Sequence, residues 1–102
     1  MSRLQQLKTY LDESPDDAFL LFALAKEYES VPDTPEALNY YIRLETVHPN
    51  YVGMYYHLGK LYEKIHEPEK AVATYEKGMS VAKRENDRHA YSELQTALED
   101  LI

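Results

Sequence analysis

The residues of this chain that could do chemistry are scattered rather than gathered. His48, His57, His66 and His89 fall in separate turns or helical stretches, with no HExxH and no i, i+4 pair to set two imidazoles on one metal. Asp16 and Asp17 are adjacent, and on a helix neighbours point about 100° apart. That suits a helix cap better than a paired general acid and base. There is no glycine-rich phosphate loop and no nucleophile elbow. The lack of cysteine excludes disulfides, Cys-based zinc sites and thiol catalysis. No metal, no cofactor and no enzymatic activity is expected. What is left is recognition. Lys26 and Lys60 stand 34 residues apart, and stacked copies of one unit would set both ammonium groups on one surface, to attract a partner's carboxylate. Glu29 and Glu63 lie one helical turn away, so neutralisation of the same faces is the competing reading.

That stride is the strongest regularity in the chain. Leu24, Ala25, Tyr28, Ala37 and Tyr41 recur as Leu58, Gly59, Tyr62, Ala71 and Tyr75, and Pro15-Asp16 recurs as Pro49-Asn50. A fixed period of this size marks one supersecondary unit copied along the chain. Leu4, Leu7, Tyr10 and Leu11 predict an amphipathic helix over 2–13, closed by Ser14-Pro15. Asp16 and Asp17 suit the cap and first turn of a second helix, from Asp17 to about Ser30, whose apolar face of Leu20, Leu21, Leu24, Ala25 and Tyr28 is widened by Phe19 and Phe22. Asp33 or Thr34 caps a third helix carrying Ala37, Leu38, Tyr41, Leu44 and Val47. Asn50 is read as the cap of a fourth, with Tyr55, Leu58, Leu61, Tyr62 and Ile65, ending near Ile65 or His66. Pro68 opens a fifth, with Ala71, Val72, Tyr75, Met79 and Ala82. A sixth runs over 86–102 with Tyr91, Leu94, Ala97, Leu98 and Leu101, its register restored by two extra residues in the preceding connection. The division is a leading half repeat (1–15), two full repeats (16–49 and 50–85) and a capping helix (86–102), in one all-α domain.

Bulk properties limit the partners. The 102 residues carry eleven Lys and Arg against eighteen Asp and Glu, a formal charge of −7, which repels phosphate backbones and anionic lipid. No nucleic acid and no membrane partner is expected. The first dozen residues have no signal-peptide pattern and no apolar run approaches the ~18 residues of a membrane span, so a cytoplasmic protein is the default. Tyr28, Tyr41, Tyr55, Tyr62 and Tyr75 are accounted for by repeat slots, because a half-buried tyrosine can bury its ring and still hydrogen-bond its hydroxyl.

The order of a large residue, Leu-small, Tyr, Ala, an aromatic and Pro over 34 positions resembles the tetratricopeptide repeat. Leu24-Ala25, Tyr28, Ala37, Tyr41 and Pro49 carry it in the first copy, and Tyr55, Leu58-Gly59, Tyr62, Ala71 and Tyr75 in the second. Leu21 in place of the leading aromatic, Leu44 in place of a small residue and Lys83 in place of the closing proline depart from it. Gln95 takes the small slot of Ala25 and Gly59, as a terminal helix allows. The resemblance implies six antiparallel helices in a short right-handed superhelix. It also implies a non-enzymatic module that holds a peptide or helix of a partner protein in a groove lined by the first helix of each pair. On that geometry the groove candidates are Phe19, Phe22, Lys26, Tyr56, Lys60, Lys64, Arg88 and Ser92, with His89 beside them. Some members grip a terminal carboxylate with Lys and Asn on the first helix; here Phe22 and Lys26 stand at those positions, so that grip is not expected. The alternative is an assembly piece that forms a homo-oligomer through its terminal helices or the aromatic patch of Phe19, Phe22 and Tyr56.

Overall fold

The computed structural model describes residues 2–102, which fold as six helices with no strand among the described residues. The chain divides into two compact units, Met1–Pro49 and Asn50–Ile102. The first holds α1 (Arg3–Glu13), α2 (Ala18–Ser30) and α3 (Thr34–Val47), with α2 packed against both α1 and α3. The second holds α4 (Gly53–Lys64), α5 (Pro68–Arg84) and α6 (Arg88–Glu99), with α5 packed between α4 and α6 and a smaller contact between those two. Short connections make neighbouring helices antiparallel, and side chains lock the arrangement. Late in α3, Arg43 donates to the Pro15 carbonyl ahead of α2 at 2.6 Å, and His48 meets the Asp16 carbonyl. In the second unit the end of α5 returns to the start of α4, where Arg84 Nη2 donates to Asn50 Oδ1 at 3.4 Å.

The helix starts follow cap chemistry at four of six positions. Ser2 and Gln5 form a reciprocal capping box on α1, and Asp17, Asp33 and Asp87 accept from the backbone N–H of Leu20, Glu36 and Ala90. Each satisfies a donor that the first turn leaves orphaned. Asn50 is not the cap of α4. The slot equivalent to Asp17 is Tyr51, whose ring cannot reach back as a short carboxylate does, so the helix begins later, after Val52, with no side-chain cap. Asn50 instead receives Arg84. The sixth helix is likewise shorter than 86–102, because Asn86 sits at φ 58°, outside helical space, and leaves Asp87 to cap. His66, at φ 62°, and Asn86 both follow a helix C-terminus, and the next residue donates back to the Tyr62 and Ala82 carbonyls at 2.9 and 2.8 Å. This left-handed closure is the one that glycine favours.

Both cores are built from the repeating slots. Leu24, Ala25, Tyr28, Ala37 and Tyr41 are buried in the first unit, and Leu58, Gly59, Ala71 and Tyr75 in the second. Tyr28 and Tyr40 stack with ring centroids 5.6 Å apart, and Lys8 of α1 lies over the Tyr28 ring at 5.7 Å. Three residues at apolar spacing are exposed: Tyr10, Val47 and Phe19, at 55%, 40% and 63%. Helix α1 packs chiefly on α2, so the narrow stripe of Leu7 and Leu11 suffices.

The two departures in the first copy are complementary. A Cβ on Gly78 would stand 2.5 Å from the Cβ of Tyr55 and 3.0 Å from Leu94, so glycine there makes room for an aromatic on α4. In the first copy those slots hold Leu21 and Leu44, both fully buried. A shorter side chain on one helix is matched by a larger one on its neighbour, which keeps interior density. Gly59 is tighter still, since a Cβ there would fall 2.2 Å from the Tyr75 ring. Gly59→Ala relieves a helix penalty of about 1 kcal/mol, but overpacking against an immobile ring costs typically ~1–3 kcal/mol. The variant is expected to show a lower urea midpoint with an unchanged m value. A midpoint equal to or above that of the parent would show that Tyr75 yields at little cost.

Candidate functional site

The repeat places the same three side chains together twice. Tyr41, on α3, donates its hydroxyl to Glu29 of α2, and Glu29 also faces Lys26 at 3.7 Å. In the second unit Tyr75 of α5 donates to Glu63 of α4, which faces Lys60 at 3.6 Å. Both tyrosine rings are fully buried, while the lysines are exposed. Burial pushes both phenols far above their ordinary pKa, and the hydrogen bond to a carboxylate adds to the rise. Each glutamate accepts the hydrogen bond of a buried hydroxyl on one side and forms an ion pair with an exposed ammonium on the other. The lysines singled out by their spacing are therefore already engaged, as the neutralisation reading holds, and neither presents an unopposed charge.

Around each lysine the exposed face of the first helix carries an aromatic. On α2, Phe22 is half-buried with its ring edge-on to Tyr41 at 6.4 Å, and Phe19, one turn earlier, is largely exposed. On α4, Tyr56 occupies the slot of Phe22, and Lys60 lies over its ring at 5.6 Å. Tyr56 also meets His57 edge-on at 5.6 Å.

Within the second unit an open recess of about 310 Å³ runs between α4 and α6. Tyr56, Lys60, His89 and Ser92 line it, which are residues the sequence brings to one face; Lys64 and Arg88 do not. Arg88 instead borders a second recess, of about 380 Å³, where α5 gives way to α6. Four residues lining the first recess were not anticipated: Glu93, Thr96, Ala97 and Asp100. They continue the line of His89 and Ser92 at helical spacing along α6, so the signal was present once the register of that helix is known. The arrangement offers an aromatic ring, hydroxyls and charges of both signs on one open surface. Among the described residues no group of three or more His, Asp or Glu could hold a metal ion, and no helix is long and apolar enough to cross a membrane.

No family model and no curated protein matches the chain. Solved structures do. The chain is similar to a tetratricopeptide repeat domain protein of Salinibacter ruber, at 40% identity and a TM-score of 0.82, over 85% of this chain and 88% of that one. It is similar to a protein of Bordetella parapertussis at 25% identity and a TM-score of 0.84, over 99% of this chain and 88% of the other. It shares its fold with MamA, at 24% identity and a TM-score of 0.75, over 94% of this chain and 51% of MamA.

The buried phenols make stability depend on alkaline pH. A tyrosine that keeps its proton longer in the folded chain than in the unfolded one contributes fully below its unfolded pKa of about 10. That contribution falls as pH rises beyond it, by about 1.4 kcal/mol per pH unit for each residue. Urea midpoints of the parent are expected to drop steeply above pH 10, and those of the Tyr41→Phe/Tyr75→Phe variant to drop much less. Equal slopes in the two proteins would contradict the assignment.

Proposed function

The chain belongs to the tetratricopeptide repeat family, and from that premise we propose that it is a non-enzymatic interaction module that holds a peptide or helix of a partner protein on the first helices of its repeats. The repeats run over 16–49 and 50–85, flanked by a half repeat over 1–15 and a capping helix over 86–102. In the second unit the binding surface is the recess between α4 and α6, with Tyr56, Lys60 and Ser92 in its lining, while Lys64 on α4 and Arg88 on α6 lie outside that lining. In the first unit it is the outer face of α2, with Phe19, Phe22 and Lys26. The recess carries this reading, because it brings an aromatic floor and polar side chains from two helices to one open surface. Rigid rings lose little conformational freedom on contact and make good anchors. The lysines, fixed by Glu29 and Glu63, orient at the edge of the aromatic surface and do not act as bare cations.

The large exposure of Phe19 favours a second reading, self-association through that ring. Affinity capture from the native cell, comparing the parent with the Phe22→Ser/Tyr56→Ser variant, tests the first reading. Loss of a hot-spot aromatic costs ~2 kcal/mol or more, so the partner is expected to bind at least tenfold more weakly to a variant that retains its helical circular dichroism. Unchanged binding with unchanged oligomeric state would defeat it. Light scattering at micromolar concentration tests the second: a dimer is expected that Phe19→Ser converts to monomer, and a parent that is monomeric throughout would remove it.

A further inference from the structure

Most of the eleven Lys and Arg side chains already have a partner. Arg3, Lys26, Arg43 and Lys60 face carboxylates, Lys8 and Lys70 lie over tyrosine rings, and Arg84 donates to Asn50. Lys64, Lys83 and Arg88 differ: among the described residues none of these side chains has an ion pair, ring contact or hydrogen bond. Of the three, Lys83 and Arg88 line one recess, that of about 380 Å³ at the junction of α5 and α6. In a chain with eighteen acids, two cations without an ion pair on one concave surface are conspicuous.

The recess arises where the repeat is broken. Helix α3 has 14 residues and α5 has 17. The first copy closes on Pro49, which cannot extend a helix; the equivalent residue of the second copy is Lys83, and the helix runs on through it. Asn86, in the left-handed region, then turns the chain into α6. The apolar wall open to a ligand is the half-buried Tyr91, with Ala82 fully buried behind it. One acid, Asp87, also borders the recess; its Oδ1 accepts from the Ala90 N–H at 3.0 Å and its charge offsets one of the two cations, which leaves the lining with one net positive charge.

We infer that this recess is a recognition site for an acidic peptide segment of a partner protein, its carboxylate held between Lys83 and Arg88 and its neighbouring apolar side chain against the Tyr91 ring. A guanidinium forks onto a carboxylate and an ammonium adds a compact charge beside it. The exposed part of the Tyr91 ring and a volume beyond what a simple inorganic anion would fill favour a peptide. The inference rests on the interaction-module reading and adds to it the sign of charge that the partner carries.

The probe is the doubly capped peptide acetyl-Glu-Glu-Leu-Glu-Glu-amide, titrated into the full chain and followed by two-dimensional amide NMR. Shifts are expected at Asn86, Arg88 and Tyr91, with none for the same peptide carrying Gln in place of Glu. The Lys83→Gln/Arg88→Gln variant, altered at exposed positions and checked for unchanged helical circular dichroism, is expected to bind tenfold or more weakly. Lys70→Gln, at the far end of α5, should stay within twofold of the parent. Equal affinity in the double variant, or no shift at these residues at millimolar peptide, would overturn the inference. So would displacement of the peptide by equimolar inorganic phosphate, which would make the site one for a simple anion. A dimer abolished by the double variant would also overturn it, by making the occupant a second copy. Shifts confined to Tyr56, His89 and Thr96 would overturn it while leaving the interaction-module reading standing.

Discussion

A buried tyrosine hydroxyl that donates to a glutamate on the adjoining helix is the contact on which each repeat depends. Tyr41 reaches Glu29 and Tyr75 reaches Glu63, and both rings are sealed from solvent. A buried hydroxyl left without a partner costs about 1–3 kcal/mol, whereas one that meets a charged acceptor is well compensated. The contact therefore sets which faces of the two helices meet. It also constrains its neighbours. In the second unit the residue beneath the Tyr75 ring is glycine, where an added Cβ would stand 2.2 Å from the ring, whereas the first unit holds the fully buried Ala25 at that slot. Among the described residues, no buried side-chain nitrogen or oxygen lacks a hydrogen-bond partner.

This interaction also shapes what the surface can recognise. Lys26 and Lys60 are committed to the glutamates that hold the helices, and neither offers a bare ammonium on the first-helix faces. Lys83 and Arg88, which have no ion pair, flank the junction of the second repeat with α6, where the regular stride is lost. Regular positions of the repeat make the scaffold, and irregular ones vary the chemistry. The glycine at 78 and the lysine at 83 are both departures from the first copy, one absorbed by packing against Tyr55 and the other exposed.

The helices themselves were legible because apolar residues recur at three and four and because proline, aspartate and the 34-residue echo fix where each unit restarts. Cap chemistry was legible where the residue type and the slot agree, as at Asp17 and Asp33, and misleading where they separate. Asn50 has the right side chain one position away from the slot that caps, and that slot holds a tyrosine. Tyr10 and Val47 have the right spacing but no helix surface to cover them, which one-dimensional periodicity does not record. The partners of Tyr41 and Tyr75 lie 12 residues back along the chain, so they become visible only when the hairpin closes. Glu29 and Glu63 nonetheless repeat at the same stride as the tyrosines, and that coincidence was available. The lower half of the α6 face escaped because its register depended on a two-residue insertion.

A double-mutant cycle between Tyr75→Phe and Glu63→Gln, read from urea unfolding at pH 7 and repeated for Tyr41→Phe and Glu29→Gln, measures the central contact directly. Each pair is predicted to show a coupling energy of about 1.5–3 kcal/mol, the range for hydrogen bonds to charged groups. Additive losses in both pairs, with no coupling beyond experimental error, would mean that the helices are held by ring burial alone, and would contradict the account.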